Sequence, residues 1–263
     1  MGHLHSIEEN PGPKTLVLEA MIPYTRPLTL YAHVGLSPNP LKVAILLEEL
    51  GVAYDFAMLD LGAQEHKREP YLRINPNGRV PALDDPNTGL RIWESGAIVE
   101  YLVQRYDEEG RFHVKAGEEG EEAEARRWEE AAWRYFQASG QGPYFGQKAW
   151  FTKFHSEKLP SAIERYGAEI RRVLGVVDAH LRRTGRRYLV GDEVSYVDLM
   201  WIPWNHMVPF LMGEEFLKEW KREMPASWAW FRRLEGRESV KKVYGDMQRR
   251  MTVEQSGTGP KES

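Results

Sequence analysis

The strongest constraint on this chain is a change of hydrophobic period at Tyr106. Before that residue, strand-like runs alternate with helical ones; after it, the pattern stays helical. "LTLYAHV" (28–34) has strand composition. "PLKVAILLEELGV" (40–52) opens on a proline suited to a first helical turn, is apolar on most sides and stops at Gly51, as a buried helix does. "AYDFAML" (53–59) reads as a second strand and "EHKREPYLRI" (65–74) as a short helix or turn. Two more strands follow around "DDPNTG", a loop with strong turn chemistry, and a helix is expected from Ser95 to Tyr106. The order β-α-β-α-β-β-α implies an α/β layer with a mixed sheet.

The remainder has almost no strand signal. "DEEGRFHVKAGEEGEE" (107–122) is charged and glycine-containing. In the helix that follows, Ala125, Trp128, Ala132 and Phe136 recur at helical spacing, and Glu122/Arg126 and Glu130/Arg134 fit exposed ion pairs. A second long helix is expected over about 160–184, and Ser195 and Asp198 in "VSYVDL" form a capping box stapled by Val194 and Leu199. The expected division is a flexible leader (1–26), an α/β domain (27–106), a linker (107–118), an all-helical domain (119–251) and a flexible tail (252–263).

The 263 residues include no cysteine, which removes disulfides, thiolate metal sites and a cysteine nucleophile together. Any sulfur chemistry must use sulfur brought by a ligand. A net charge of −4 disfavours nucleic acid or an anionic membrane as partner, and no apolar run approaches membrane-spanning length. The opening residues lack a basic stretch followed by an apolar core, so a cytoplasmic location is the expectation, with no metal.

"NGRVPALDDPNTGLRIWESGAI" (77–98) carries the functional signal. Proline after a β-branched residue has an accessible cis bond, which would leave the N–H and C=O of Val80 free for an extended peptide. Thirteen residues on, Glu94 and Ser95 stand where the last helix of the layer begins. Free N–H groups there suit a carboxylate, Ser95 adds a hydroxyl, and Glu94 can take an ammonium group. The layout suits a small zwitterionic peptide. Its other end would run toward "VGLSPNPLK" (34–42), where Ser37 and Asn39 precede the first helix. A thiol there would be pushed toward thiolate by the helix terminus and by hydroxyl or amide donors. Plainer roles fit the same residues: Pro81 as an edge proline, Ser95 as an N-cap, "SPNP" as a polar turn.

"INPNGRVPAL", "IWESGAIVEYL" and the two-domain plan resemble cytosolic glutathione transferases, which pair a thioredoxin-like domain with an all-helical one. "SPNPLKVAILLEELG", "FQASGQGPYFGQ", "IERY" and "YLVGDEVSYVDLMWIPWN" are similar to the fungal nitrogen-regulator-like class, related to bacterial nu-class enzymes, over roughly residues 27–245. The resemblance implies glutathione as co-substrate. Val80, before a cis Pro81, would pair with the cysteinyl backbone, and Glu94 and Ser95 would hold the γ-glutamyl end. His66 would approach the glycyl carboxylate, Arg171 would reach the tripeptide, and Asn39 and Ser37 would lie near the thiol. Pro40 stands where the class has a glycine.

An acceptor pocket between the domains would use Trp133, Phe136, Tyr144 and Phe145, each also suited to core packing. The resemblance further implies a homodimer and transfer of glutathione to a small hydrophobic electrophile, in the manner of fungal small-molecule metabolism. Glutathione-dependent disulfide reduction and alkene isomerisation use the same thiolate. A regulatory protein that keeps the fold without turnover is the reading from another class.

Overall fold

The computed structural model describes residues 26–114 and 117–256. Most of the expected leader, and residues 257–263 of the expected tail, lie outside them. The first part is a mixed four-stranded sheet in the order β2-β1-β3-β4, made of β1 (Leu28–Ala32), β2 (Tyr54–Met58), β3 (Ala82–Asp85) and β4 (Leu90–Trp93). β1 and β2 are parallel, with Leu30 beside Phe56; β3 runs antiparallel to β1 and to β4, placing Leu83 beside both Leu30 and Ile92. The parallel pair needs a crossover, and α1 (Pro38–Leu50) supplies it. Gly51 at φ 70° ends that helix in the left-handed conformation a glycine takes without cost. α2 (Ser95–Tyr106) closes the layer, which is the thioredoxin-like arrangement.

α1 is buried on nearly every side. Leu41, Val43, Ala44, Ile45, Leu46 and Leu47 are each at most 1% exposed, because α1 packs on the sheet and α2 on one side and on the helical domain on the other. That explains why its sequence is apolar all round instead of striped.

Between β2 and β3 the chain makes two short 3-10 turns, Glu65–Lys67 and Tyr71–Arg73. Buried Asn75 and the Tyr71 hydroxyl both donate to the carbonyl of Arg79, each at 2.6 Å. Gly78 (φ 58°) lets this loop close on His66, whose carbonyl would lie 2.7 Å from a Cβ there. At the far end of the sheet, buried Asp85 accepts from Tyr101 and Tyr106 at 2.5 Å and from the backbone N–H of Asn87 at 2.8 Å, fixing the β3–β4 turn to α2.

The second part is helical: α3 (Glu121–Phe136), α4 (Gly142–Ala149), α5 (Pro160–Thr184), α6 (Tyr196–His206), α7 (Val208–Met212), α8 (Glu214–Glu223), α9 (Pro225–Glu235) and α10 (Glu238–Ser256). The last of these continues past residue 251, where the domain was expected to end. The glycine-rich stretch after Phe136 does not break the helix. It widens into a π turn, Gln137–Gln141, just before Pro143, which has no N–H to continue the ordinary ladder.

α3 presents a different face to the interior than its aromatic spacing suggests. Ala123, Glu130, Trp133 and Gln137 are buried, while Ala125, Trp128 and Ala132 face outward, Trp128 being 70% exposed. Glu130 is therefore no surface partner of Arg134. It is fully buried against His113 at 2.6 Å, and Arg134 pairs with Glu100 at 2.7 Å. The buried face of α3 thus mixes Trp133, packed into the core, with Glu130, whose charge His113 meets.

The capping box at Ser195 is present. Asp198 also takes the N–H of Leu189 at 2.9 Å and the indole of Trp230 at 2.8 Å, so one buried carboxylate secures three segments. Among the described residues no helix is long and apolar enough to cross a membrane.

Candidate functional site

A cleft of about 1120 Å³ opens where the sheet layer meets α3, α4 and α6. Its floor begins at Val80. The Val80–Pro81 bond is cis, and both ladders of β3 start only at Ala82, so Val80 lies just outside the sheet. Asn75 and Tyr71 occupy the carbonyl of the preceding residue, Arg79. The N–H and C=O of Val80 take no partner among the described residues. Pro81 is buried behind it.

Next to Val80 is the start of α2. No side chain caps this helix, and its first internal bond is Ile98 N–H to Glu94 C=O, so the N–H groups of residues 95–97 remain available. Glu94 sits at φ 69°, ψ 113°, a conformation non-glycine residues seldom hold. It aims an exposed carboxylate at the cleft, with the Asn77 amide 3.5 Å away. The cleft wall also carries basic side chains, His33, His66, Lys67 and Arg79. Burial, then the charges of Lys67, His33 and Arg79, lower the His66 pKa, and its buried Nδ1 has no partner. The cleft thus offers basic groups and helix N–H groups to carboxylates, the Glu94 carboxylate to an ammonium group, and the free backbone of Val80 to an extended peptide.

Ser37 and Asn39, at the start of α1, line the middle of the cleft. Behind them is a residue the sequence reading missed. Lys42 is 3% exposed and donates to Asn39 Oδ1 (3.3 Å), Ser95 Oγ (3.0 Å) and Gln137 Oε1 (2.9 Å). Burial brings its pKa down to about 7, opposed by the charge of Glu94. The available signal was a lone cation in the apolar run of α1, one turn after Asn39. Trp204, from α6, donates its indole N–H to Asn39 Oδ1 at 3.2 Å and was missed too, because nothing local marks a partner that distant in sequence.

The structure gathers Ser37, Asn39, His66, Val80, Glu94 and Ser95 around this cleft, sets Pro81 behind Val80, and leaves the other five expected residues off it. Arg171 forms a two-pronged pair with Glu219 of α8 (2.7 and 2.9 Å) and stacks over Phe216; the carboxylate satisfies it away from the cleft. Trp133 is buried against His180 and Trp201, Phe136 packs on Trp201, Tyr144 faces Tyr166, and Phe145 is fully buried beside Trp204. The helical-domain wall is instead made by their neighbours Tyr135, Pro143, Gly146 and Trp150, with Trp204. Helical rotation turns the inward aromatics to the core and their neighbours to the opening. Among the described residues no group of His, Asp or Glu could hold a metal ion.

A mixed four-stranded layer with an open loop at a cis-proline, joined to a helical domain across a polar cleft, defines a thioredoxin-like module built for a small ligand and completed by helices. A family model described as "Glutathione S-transferase, N-terminal domain" matches residues 26–104, and one described as "Glutathione S-transferase, C-terminal domain" matches residues 143–238. The chain is 43% identical over 234 residues to the glutathione S-transferase-like protein tpcF of Aspergillus fumigatus, covering 86% of this chain and 98% of that protein. It superimposes with a TM-score of 0.77 on glutathione transferase URE2P6 of Phanerochaete chrysosporium in complex with oxidized glutathione, at 41% identity over 87% of this chain and 99% of that one. It matches Ure2p in complex with glutathione at TM-score 0.73, 38% identity, 82% and 97% coverage. The chain belongs to the glutathione S-transferase family.

Proposed function

We propose that this protein binds glutathione in the cleft and adds its thiolate to a small hydrophobic electrophile. The cysteinyl backbone pairs with Val80, the γ-glutamyl end meets Glu94, Ser95 and the first N–H groups of α2, and the glycyl carboxylate turns toward His66. The thiol then rests at Asn39 and Ser37. The observation that carries this reading is the unpaired backbone of Val80 beside the uncapped start of α2, in one cleft lined by charges of both signs.

Neither Asn39 nor Ser37 is a base at neutral pH. Their work is to donate to S⁻ more strongly than to SH, with the proton released to solvent. A shift of two pKa units corresponds to about 2.7 kcal/mol, within reach of one charge-assisted hydrogen bond and a helix terminus. The thiolate then attacks carbon; with a chloronitrobenzene, a C–S bond forms and chloride leaves with the bonding pair. Tyr135, Pro143, Trp150 and Trp204 offer the acceptor an apolar wall.

The oxidized glutathione held by the Phanerochaete relative favours a second reading, disulfide exchange, in which the same thiolate attacks a glutathionyl disulfide and a thiolate leaves. Calorimetric titration with glutathione, followed by assays with a chloronitrobenzene and with hydroxyethyl disulfide, separates the two. No binding at millimolar glutathione would refute both. A homodimer, as the family resemblance implies, fits the exposed Trp93 and Trp128, which sedimentation can test.

A further inference from the structure

The oxygen and nitrogen of an asparagine amide occupy similar volumes, and neighbours decide which faces where. At Asn39 the neighbours leave no choice. The Trp204 indole can only donate, and it lies 3.2 Å from one amide atom. The Lys42 ammonium lies 3.3 Å from the same atom. That atom is the oxygen, so Nδ2 is turned away from both. It takes no partner among the described residues, and Asn39 lines the cleft.

Both donors are themselves held. Phe145 packs edge-on to Trp204 at 6.4 Å, and Gly146 brings α4 so close that a Cβ would stand 3.4 Å from the indole. Lys42 spends its other hydrogens on Ser95 and on Gln137. Gln137 passes a hydrogen bond to Gln141 at 2.9 Å, and Gln141 passes one to Asn205 at 2.9 Å, the residue after Trp204. Gln137, Gln141 and Asn205 are fully buried. The circuit therefore leaves α1, crosses the widened turn after α3, reaches α6 and returns to Asn39. It survives loss of a proton from Lys42: two carbonyl-type oxygens still accept from the amine, and the Ser95 hydroxyl can reverse and donate to it.

We infer that Trp204 and Lys42 are positioning residues that lock the Asn39 amide with its Nδ2 hydrogens aimed at the sulfur of a thiol bound in the cleft. The inference rests on the glutathione reading above, and it makes the helical domain part of the activating device. The widened turn has a role in it too, since it is the segment that brings Gln137 to Lys42.

The test is a double-mutant cycle on the pKa of bound glutathione, read from the ultraviolet absorbance of the thiolate across a pH series. Trp204→Phe should raise that pKa by about half a unit to one unit, the weakening expected of a misaligned donor to an anion, with affinity nearly unchanged. In an Asn39→Ala background the same change should produce no further shift. An equal shift in both backgrounds would mean Trp204 acts by packing alone, and no shift in either would mean the amide is not held; each overturns the inference. If Trp204→Phe does not fold, Lys42→Met enters the same cycle. In the ligand-free protein, the Trp204 indole proton should move upfield in Asn39→Ala, and an unmoved signal counts against the hydrogen bond itself. Wild-type protein that binds no glutathione refutes the proposed function and this inference together; binding with an unmoved thiol refutes this inference alone.

Discussion

Trp204 and Asn39 are 165 positions apart, and the indole of one donates to the amide oxygen of the other across 3.2 Å. Trp204 belongs to α6 and Asn39 to α1, so this contact joins the two halves of the chain at the cleft, as Lys42 and Gln137 also do.

Asn39→Ala should raise the thiol pKa of bound glutathione by about one to two units, the value of one donor to an anion, and leave its affinity nearly intact. Turnover should fall most at the acid end of a pH 6–8 series. Full activity across that range would place the activation on Ser37 or the start of α1.

Ser95→Ala should weaken glutathione binding about tenfold, the loss of one hydrogen bond to a charged group, with a smaller effect on the rate at saturation. Calorimetry and a KM-against-kcat comparison check it. An unchanged KM would show that the α2 backbone holds the ligand unaided.

Lys42 offers a pH signature. Its pKa is about 7 in the folded protein, because burial penalises the charge, whereas the unfolded chain titrates near the ordinary lysine value of about 10.4. Between these values the unfolded state carries a proton the native state lacks, so this residue's contribution makes stability rise with pH. Below pH 7 the penalty is present in full. Lys42→Met removes it, so the stability of the variant relative to wild type should be greatest near pH 6 and decline toward pH 9 or so. Urea denaturation at both ends measures this, and a pH-independent difference would contradict it.

Arg171→Ala should leave the KM for glutathione within about twofold, since the residue makes an exposed ion pair of small worth with Glu219. A tenfold rise would require the guanidinium to leave that carboxylate and enter the cleft.

Asp198→Asn should cost about 3 kcal/mol or more, because one of the two buried oxygens that accept from Leu189 and Trp230 or from Ser195 would become an NH2 facing those donors. Chemical denaturation reads it directly, and a loss under 1 kcal/mol or so would demote Asp198 to an ordinary cap.

The α/β layer was legible because its signals are local. The proline at 81, the turn residues at 85–89 and the stop at Gly51 each act within a few positions, and α2 spans Ser95 to Tyr106 as the pattern indicates. The cleft residues near those signals, Asn39, Val80, Glu94 and Ser95, were legible for the same reason. What stayed hidden depends on rotation and distance. Trp133 and Tyr135 are two positions apart on one helix, yet one is buried and the other 65% exposed, and aromatic character alone does not tell them apart. Lys42 escaped notice because two of the three oxygens that meet it, on Ser95 and Gln137, are distant in sequence. Arg171 was displaced by a carboxylate 48 residues away.

The enclosure of α1 has a practical meaning for anyone wishing to divide this molecule. One flank of that helix is covered by α6 and α10, and its last turn is riveted there: Arg237 forks onto Glu49 at 2.5 and 2.8 Å, and Lys242 reaches Glu48 at 2.6 Å. A fragment cut at the connecting segment would strip that flank and wet a row of leucines and valines. The two halves are therefore no interchangeable cassettes. Swapping acceptor preference by transplanting a foreign helical half would also mean rebuilding the seam along α1.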